Sequence, residues 1–214
     1  MTLELWLLLI ITLLAGAMSP GPSVALVMRT TIVHGRRSGV LVALAHGVGI
    51  TVYALAVVLG LATAIQSSSS LNLGLRIGGA LFLFYLGYRM LSSGIKTAAK
   101  GEDIVTEAPA ERDHQSLTQW PHVLNGFLIV FLNPKVVLFF VSIFSQFLTP
   151  YQSITTQLMA ASMAGGIDAA WYALVAFCVS NHRLAGALSS VSPMIDVAFG
   201  ALFMAFAGFV LLNF

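Results

Sequence analysis

The feature that most constrains this chain is a series of uncharged apolar stretches, each long enough to cross a lipid bilayer. The first, from Leu5 to Met28, contains 24 residues without a charged side chain. About 20 apolar residues span a bilayer as a helix, which satisfies its own backbone hydrogen bonds there. The sequence predicts six such spans, numbered here 1 to 6 in chain order: 4–28, 38–65, 72–92, 121–149, 154–180 and 192–213.

Composition indicates an all-α integral membrane protein. Of the 214 residues, 58% are hydrophobic and 8% are charged, against about 25% charged in soluble domains. The charged segment 93–120 contains Pro109 and lacks apolar periodicity, which is typical of a linker. The predicted organisation is a first three-helix repeat at 1–92, a linker at 93–120 and a second three-helix repeat at 121–214. The single cysteine, Cys178, excludes an internal disulfide and a dithiol relay.

The distribution of Lys and Arg predicts how the spans are oriented. The connections after spans 1, 3 and 5 would share one side of the membrane, and the opposite side has only Arg76. Cytoplasmic loops are enriched in Lys and Arg, so those three connections are predicted to be cytoplasmic, with both termini outside. The basic residues on the predicted cytoplasmic side are Arg29, Arg36, Arg37, Arg89, Lys96, Lys100, Arg112 and Arg183.

The two halves of the chain resemble each other. The stretch "GVGITVYALAV" (47–57) aligns with "GGIDAAWYALV" (165–175), and "GGALFLFYLGY" (78–88) with "FGALFMAFAGF" (199–209). Chance similarity between apolar sequences is the alternative, but the offsets of the shared Tyr-Ala-Leu and of the shared Gly-Ala-Leu-Phe, 119 and 121 residues, agree closely. A repeat of three spans must be inverted, and inverted repeats with broken helices are the architecture of secondary transporters.

Spans 1 and 4 are each interrupted near the middle by prolines. Span 1 contains Ser19, Pro20, Gly21 and Pro22, and span 4 contains Asn133, Pro134 and Lys135. Ser and Asn are favoured N-caps and Pro is favoured at the first helical position, so both helices should stop there and restart. A restarted helix offers free N–H groups to an anion such as a carboxylate. The alternative is a packing kink whose backbone groups are satisfied by neighbouring helices.

Two charged residues are predicted near the middle of their spans. Lys135 would make a carboxylate site more positive, and Asp168 could hold an ammonium group or carry a coupling proton. A structural ion pair between Lys135 and Asp168 is the alternative. Asp196 and Arg76 lie near predicted span ends, where they should reach the interface.

Three further features of the sequence are candidates for the site or for an interface. His46 in span 2 is either a functional residue, as a proton relay or a site donor, or a histidine bonded to a backbone carbonyl. Trp171, one turn after Asp168, either lines the site or packs as a core aromatic. The spacing of Gly74 and Gly78 allows close helix approach, as in a homodimer.

Several stretches together resemble a known family. "MSPGPSVALVMR", "HGRRSGVLVALAHGVG", "FYLGYRML" and "GFLIVFLNPKVVLFFVSIFSQF" are similar to the RhtB branch of the LysE/RhtB superfamily of amino-acid exporters. The resemblance covers nearly the whole chain apart from the linker. It implies a multi-pass protein of the bacterial inner membrane that exports amino acids or their derivatives, with protons as the exchanged ion in an antiporter.

The sequence leaves other functions as alternatives to amino-acid export. Efflux of another small solute or of a metal cation would suit the same fold, but one cysteine, no clustered acids and a mid-span lysine argue against a metal. An intramembrane hydrolase would need a nucleophile such as Ser19 or Ser23 with His46, and the chain lacks GxSG, HExxH and GxGD motifs. A membrane scaffold would not need mid-span charges. We therefore expect no enzymatic activity, no cofactor, no metal site and no nucleic-acid partner; the expected partners are an amino-acid substrate, protons and lipid.

Overall fold

The protein is all-helical in the residues that its computed structural model describes. These are residues 1–19, 21–67, 69–100, 120–147 and 152–212. Eight helices follow one another in the chain: α1 Leu3–Met18, α2 Pro22–His34, α3 Arg36–Ser67, α4 Ser69–Lys100, α5 Trp120–Leu132, α6 Pro134–Phe147, α7 Ile154–Val179 and α8 His182–Leu212.

The helices agree with the six predicted spans when each of two bent helix pairs, at spans 1 and 4, counts as one span. Four helices are long and apolar enough to cross a membrane alone, within α3, α4, α7 and α8. Two further spans are bent pairs: α1 with α2 at 58°, and α5 with α6 at 60°. Both bends lie at the proline-containing stretches, because a proline interrupts the helical ladder and disfavours helix at the residue before it.

Several helices are longer than the sequence predicts. α4 continues to Lys100, so residues 93–100 of the predicted linker are helical, while 101–119 lie outside the described residues. The predicted spans 5 and 6 leave residues 181–191 as a connection, but only Ser180 and Asn181 separate α7 from α8. α2 likewise continues to His34, and Gly35 alone separates it from α3. Gly35 has a φ of 84°, which glycine adopts without strain.

The predicted repeat mates pack against each other. α3 (span 2) makes its most extensive contacts with α7 (span 5), and α4 (span 3) with α8 (span 6). α3 and α7 approach closely at Gly47 and Gly165, which are the first residues of the two aligned stretches. A Cβ added to Gly47 would lie 2.7 Å from the carbonyl oxygen of Gly165, so these backbones meet with only hydrogens between them.

α4 and α8 also approach through glycine. A Cβ on Gly87 would lie 2.7 Å from the carbonyl oxygen of Gly200. Gly74 and Gly78, by contrast, have no neighbouring atom within 4 Å of an added Cβ in the part of the chain that is described. Their spacing plays no part in packing within the described chain, and the homodimer stays a prediction.

Two clusters of buried side chains lie along the helices, one on each side of the helix breaks. The larger cluster includes Leu13 of α1, with Phe139, Phe140 and Ile143 of α6. The smaller consists of six buried residues: Val27, Val42, Ala43, Tyr172, Val175 and Ala176. Between them the breaks of spans 1 and 4 and the middle of α3 and α7 come together. The polar side chains buried there are Ser19, Ser23, His46, Asn133 and Asp168.

Candidate functional site

The helix in span 1 restarts two residues later than the sequence predicts. Ser19 is the C-cap of α1, and its backbone N–H bonds the carbonyl of Ala15. Gly21 is the N-cap of α2 and Pro22 its first residue, so the prediction of Ser19 as N-cap is wrong. A residue that precedes proline avoids helical angles. Since Gly21 precedes Pro22, the helix can restart only after Gly21.

The break in span 4 has the predicted form. Asn133 Oδ1 accepts the backbone N–H of Lys135 at 3.1 Å, and the carbonyl of Asn133 accepts that of Val136 at 3.0 Å. This is how an asparagine caps a helix N-terminus. The Asn133 side chain also connects the two breaks, because its Nδ2 donates to Ser23 Oγ of α2 at 3.5 Å.

Lys135 joins the start of α6 to the end of α1. Its Nζ donates to Ser19 Oγ at 2.7 Å and to the Ser19 carbonyl at 3.2 Å. As predicted, Lys135 lies beside two helix N-termini: it is in the first turn of α6, and a Cβ added to Gly21, the N-cap of α2, would lie 3.5 Å from Nζ. The ammonium also meets the C-terminus of α1 at Ser19. A cation at a helix C-terminus is favourable because the dipole is negative there. Lys135 is therefore held in place before any substrate arrives.

Asp168 and His46 form a buried pair. His46 Nδ1 and Asp168 Oδ2 are 2.6 Å apart, with His46 1% and Asp168 6% exposed. Asp168 is thus paired with His46, not with Lys135 as in the alternative ion pair. His46 Nε2 is buried and has no hydrogen-bond partner among the described residues. A buried nitrogen without a hydrogen-bond partner lowers stability by about 1–3 kcal/mol unless a ligand or water bonds it.

The aromatic residue beside this pair is Tyr172 rather than Trp171. Tyr172 is buried, its ring centroid lies 4.9 Å from that of His46, and its hydroxyl shares a hydrogen bond with Ser23. Trp171 instead packs at the margin of the smaller cluster. Both positions are one turn from Asp168, and spacing of i+3 against i+4 decides which face of the helix a side chain occupies. The i+4 position carries the residue that sequence reasoning missed.

Asp196 is buried, contrary to the prediction that it reaches the interface. It is 3% exposed, and it interacts electrostatically with Lys135. The reason is that α8 begins at His182, well before the predicted start, so residue 196 lies about four turns inside the helix. Asp196 Oδ1 has no hydrogen-bond partner in the described chain. The sequence signal for this burial is an acidic residue within an otherwise apolar stretch.

A cavity of about 40 Å³ lies where these residues meet. A single water needs about 10–15 Å³ on this measure, so the cavity has room for on the order of three waters and must enlarge to hold an amino acid. Six of the predicted site residues line it, and Pro22 and Trp171 do not. Pro20 and the side chain of Pro134 are outside the described residues. The predicted residues brought together are Ser19, Gly21, His46, Asn133, Lys135 and Asp168.

The polar lining divides into two chemical parts. Lys135, Asn133 and Ser19 supply an ammonium group, an amide and a hydroxyl, which suit a carboxylate. His46 and Asp168 supply a ring nitrogen and a carboxylate, which suit an ammonium group. Within the described residues, no group of three His, Cys, Asp or Glu side chains could hold a metal ion.

Comparison with known proteins places this chain in a family. The LysE type translocator model matches residues 14–213. The chain is 28% identical to the threonine efflux protein of Escherichia coli (strain K12), over 95% of this chain and 96% of that one. It is 27% identical to the threonine efflux protein of Salmonella typhimurium, over 90% of each chain. It is 33% identical to the leucine efflux protein of Klebsiella pneumoniae, over 64% of this chain and 62% of that one.

No solved structure matches the chain significantly. The family match covers nearly all of the sequence, and the described helices supply the spans of a multi-pass membrane protein. The chain belongs to the LysE type translocator family of bacterial membrane proteins.

Proposed function

We propose that the protein exports a small neutral amino acid from the cytoplasm in exchange for protons. The observation that carries this proposal is the buried cavity at the two helix breaks, with Lys135 in one part of its lining and the His46–Asp168 pair in another. A zwitterion needs both kinds of group. Each buried charge needs a partner in the membrane, so a substrate that brings both charges lowers the cost of both.

The relatives favour threonine as the first substrate to test. Relatives that align with 90% and 95% of the chain are named threonine efflux proteins, and the relative named for leucine aligns with 64% of it. The cavity is also small, and Phe139 forms one wall by filling the space beside Gly16, where a Cβ would overlap its ring. A short side chain is therefore easier to accommodate than a long one.

We also propose that the two halves, 1–92 and 121–214, are inverted repeats that rock against each other. The close packing of α3 on α7 and of α4 on α8 supports this, since mates related by a two-fold axis meet at that axis.

A hydrolase is disfavoured by the hydrogen bonds. His46 and Asp168 would be two members of a catalytic triad, but the nucleophile must bond the free ring nitrogen. Ser19 Oγ is bonded by Lys135, and Ser23 Oγ by Asn133 and Tyr172. Neither serine bonds His46 Nε2.

The test is counterflow in proteoliposomes. Vesicles loaded with unlabelled amino acid should accumulate the same labelled amino acid, with threonine the strongest of a panel that includes leucine, lysine and glutamate. An imposed pH gradient should drive net movement of threonine. Protein-free vesicles are the control. If no amino acid in the panel shows counterflow, the proposal is overturned. If threonine shows counterflow but the pH gradient drives no net movement, the exchange for protons is overturned and amino-acid export stands.

A further inference from the structure

We propose that His46 Nε2 binds either a proton or the ammonium group of the amino acid, but never both, and that this exclusion couples the two movements. The inference rests on the proposed amino-acid export and deepens it. It assigns the exchange to one ring nitrogen, whereas family membership says nothing about where a proton binds.

The geometry leaves Nε2 as the nitrogen for a ligand. Nδ1 is bonded by Asp168 at 2.6 Å, which fixes the ring. His46 lines the cavity, and Nε2 has no partner among the described residues although it is fully buried. Buried polar atoms are nearly always bonded, so Nε2 has a partner during part of the cycle that the described chain does not supply.

The hydrogen-bonding chemistry makes the two ligands exclusive. Beside ionised Asp168, neutral His46 keeps its hydrogen on Nδ1, and Nε2 has a lone pair that accepts an N–H of the substrate ammonium. When a proton binds that lone pair, Nε2 becomes a donor, and the imidazolium repels the ammonium. The proton that enters on Nε2 must therefore leave, as a proton, before the ammonium can bind.

Charge balance favours one occupant at a time. In the uncharged form of His46, the carboxylate of Asp168 lacks a full counter-charge in an apolar region. A proton on His46 supplies one positive charge, and a substrate ammonium supplies the same. If both were bound, the site would carry an excess positive charge. If neither were bound, it would carry an excess negative charge. Each is costly inside a membrane.

The other titratable groups near the ring do not provide an equivalent exchange. α7 brings Asp168 and Tyr172, and Tyr172 already shares a hydrogen bond with Ser23. α6 brings Lys135, which donates to Ser19 and interacts with Asp196 of α8. α1 and α2 contribute hydroxyls, Ser19 and Ser23, to the same lining. His46 is the histidine that lines the cavity in the described chain.

The experiment measures proton release when L-threonine binds. Purified protein in weakly buffered detergent solution, with a pH indicator, is titrated with threonine across pH 5 to 8. Where protons compete with threonine, the parent should release up to about one proton per threonine bound. In that pH range the apparent Kd for threonine should fall about tenfold for each unit rise in pH, because one proton competes with one ligand. His46→Gln removes the titrating ring and should abolish both the release and the slope. His122→Gln, the same change outside the cavity lining, should keep both.

A second measurement does not depend on how His46→Gln folds. In a chain with His34, His114, His122 and His182 replaced by Gln, the remaining ¹⁵N-labelled imidazole is His46. At low pH, threonine should convert its NMR signal from the doubly protonated form to the neutral Nδ1–H form.

The outcomes separate this inference from the proposed function. Threonine binding with no proton release, an unchanged imidazole signal, or a His46→Gln protein with the parental slope would overturn the exchange at Nε2 and leave export standing. Failure of the whole amino-acid panel in counterflow would overturn export, and the exchange with it.

Discussion

At the scale of single residues, Lys135 can have two roles, and each role predicts a different effect on ligand binding when its charge is removed. Its ammonium fastens α6 to the end of α1 through Ser19, and it also lines the cavity. A purely structural ammonium would be equally important for every ligand. One that also receives the substrate carboxylate would matter most for ligands that carry that charge.

We therefore expect Lys135→Met to weaken threonine binding by about 1–3 kcal/mol, the scale of a charge-assisted hydrogen bond. Methionine keeps the apolar stem and removes the charge. Binding of threoninamide, which has no carboxylate, should change much less. The measurement is a pair of titrations, acid and amide, on the parent and on the variant. Equal losses for both ligands would assign Lys135 to holding the fold alone.

At the scale of helices, the contact of α3 with α7 depends on two glycines. A Cβ on Gly165 would overlap the side chain of Thr51 and the carbonyl of Gly47, whereas one on the next residue, Gly166, would meet nothing within 4 Å. The two positions lie in the same helix and differ in what they face. They form a matched pair for substitution.

Gly165→Ala should lower the free energy of unfolding by about 1–3 kcal/mol, the usual cost of overpacking. Gly166→Ala should leave it unchanged or raise it slightly, since alanine favours helix over glycine. Thermal unfolding of both variants in one detergent checks this. If Gly165→Ala were as stable as Gly166→Ala, the close approach of α3 and α7 would be wrong.

The helices were predictable to the extent that local chemistry decides them. Apolar length set the six spans, and Asn133 with Pro134 set the restart of α6. To predict that α2 restarts at Pro22, one has to apply to Gly21 the rule that a residue before proline avoids helical angles. Other features depend on tertiary packing, which a sequence pattern does not contain. α8 begins early and so buries Asp196, and α7 is rotated so that Tyr172, not Trp171, faces His46. The pairing of His46 with Asp168 joins residues 122 positions apart.

At the scale of the whole molecule, the orientation in the membrane can be tested directly. Eight of the ten Lys and Arg residues lie on the predicted cytoplasmic side, against Arg76 on the other and Lys135 inside span 4. A reporter active only in the cytoplasm should be active when fused at Ala108, and one active only outside should be silent there. The reverse pattern would invert the assignment. The same fusions after residue 152 should give the opposite result.

The crossing of α3 and α7 has a mechanical consequence. Backbones separated only by hydrogens cannot slide past each other without collision, so we expect relative motion to be a swivel about Gly47 and Gly165. From Gly47, α3 extends about 17 Å toward Arg36 and about 30 Å toward Ser67, at 1.5 Å per residue. The helix is thus a lever with unequal arms. A rotation that opens a narrow cleft at the short end sweeps the long end nearly twice as far.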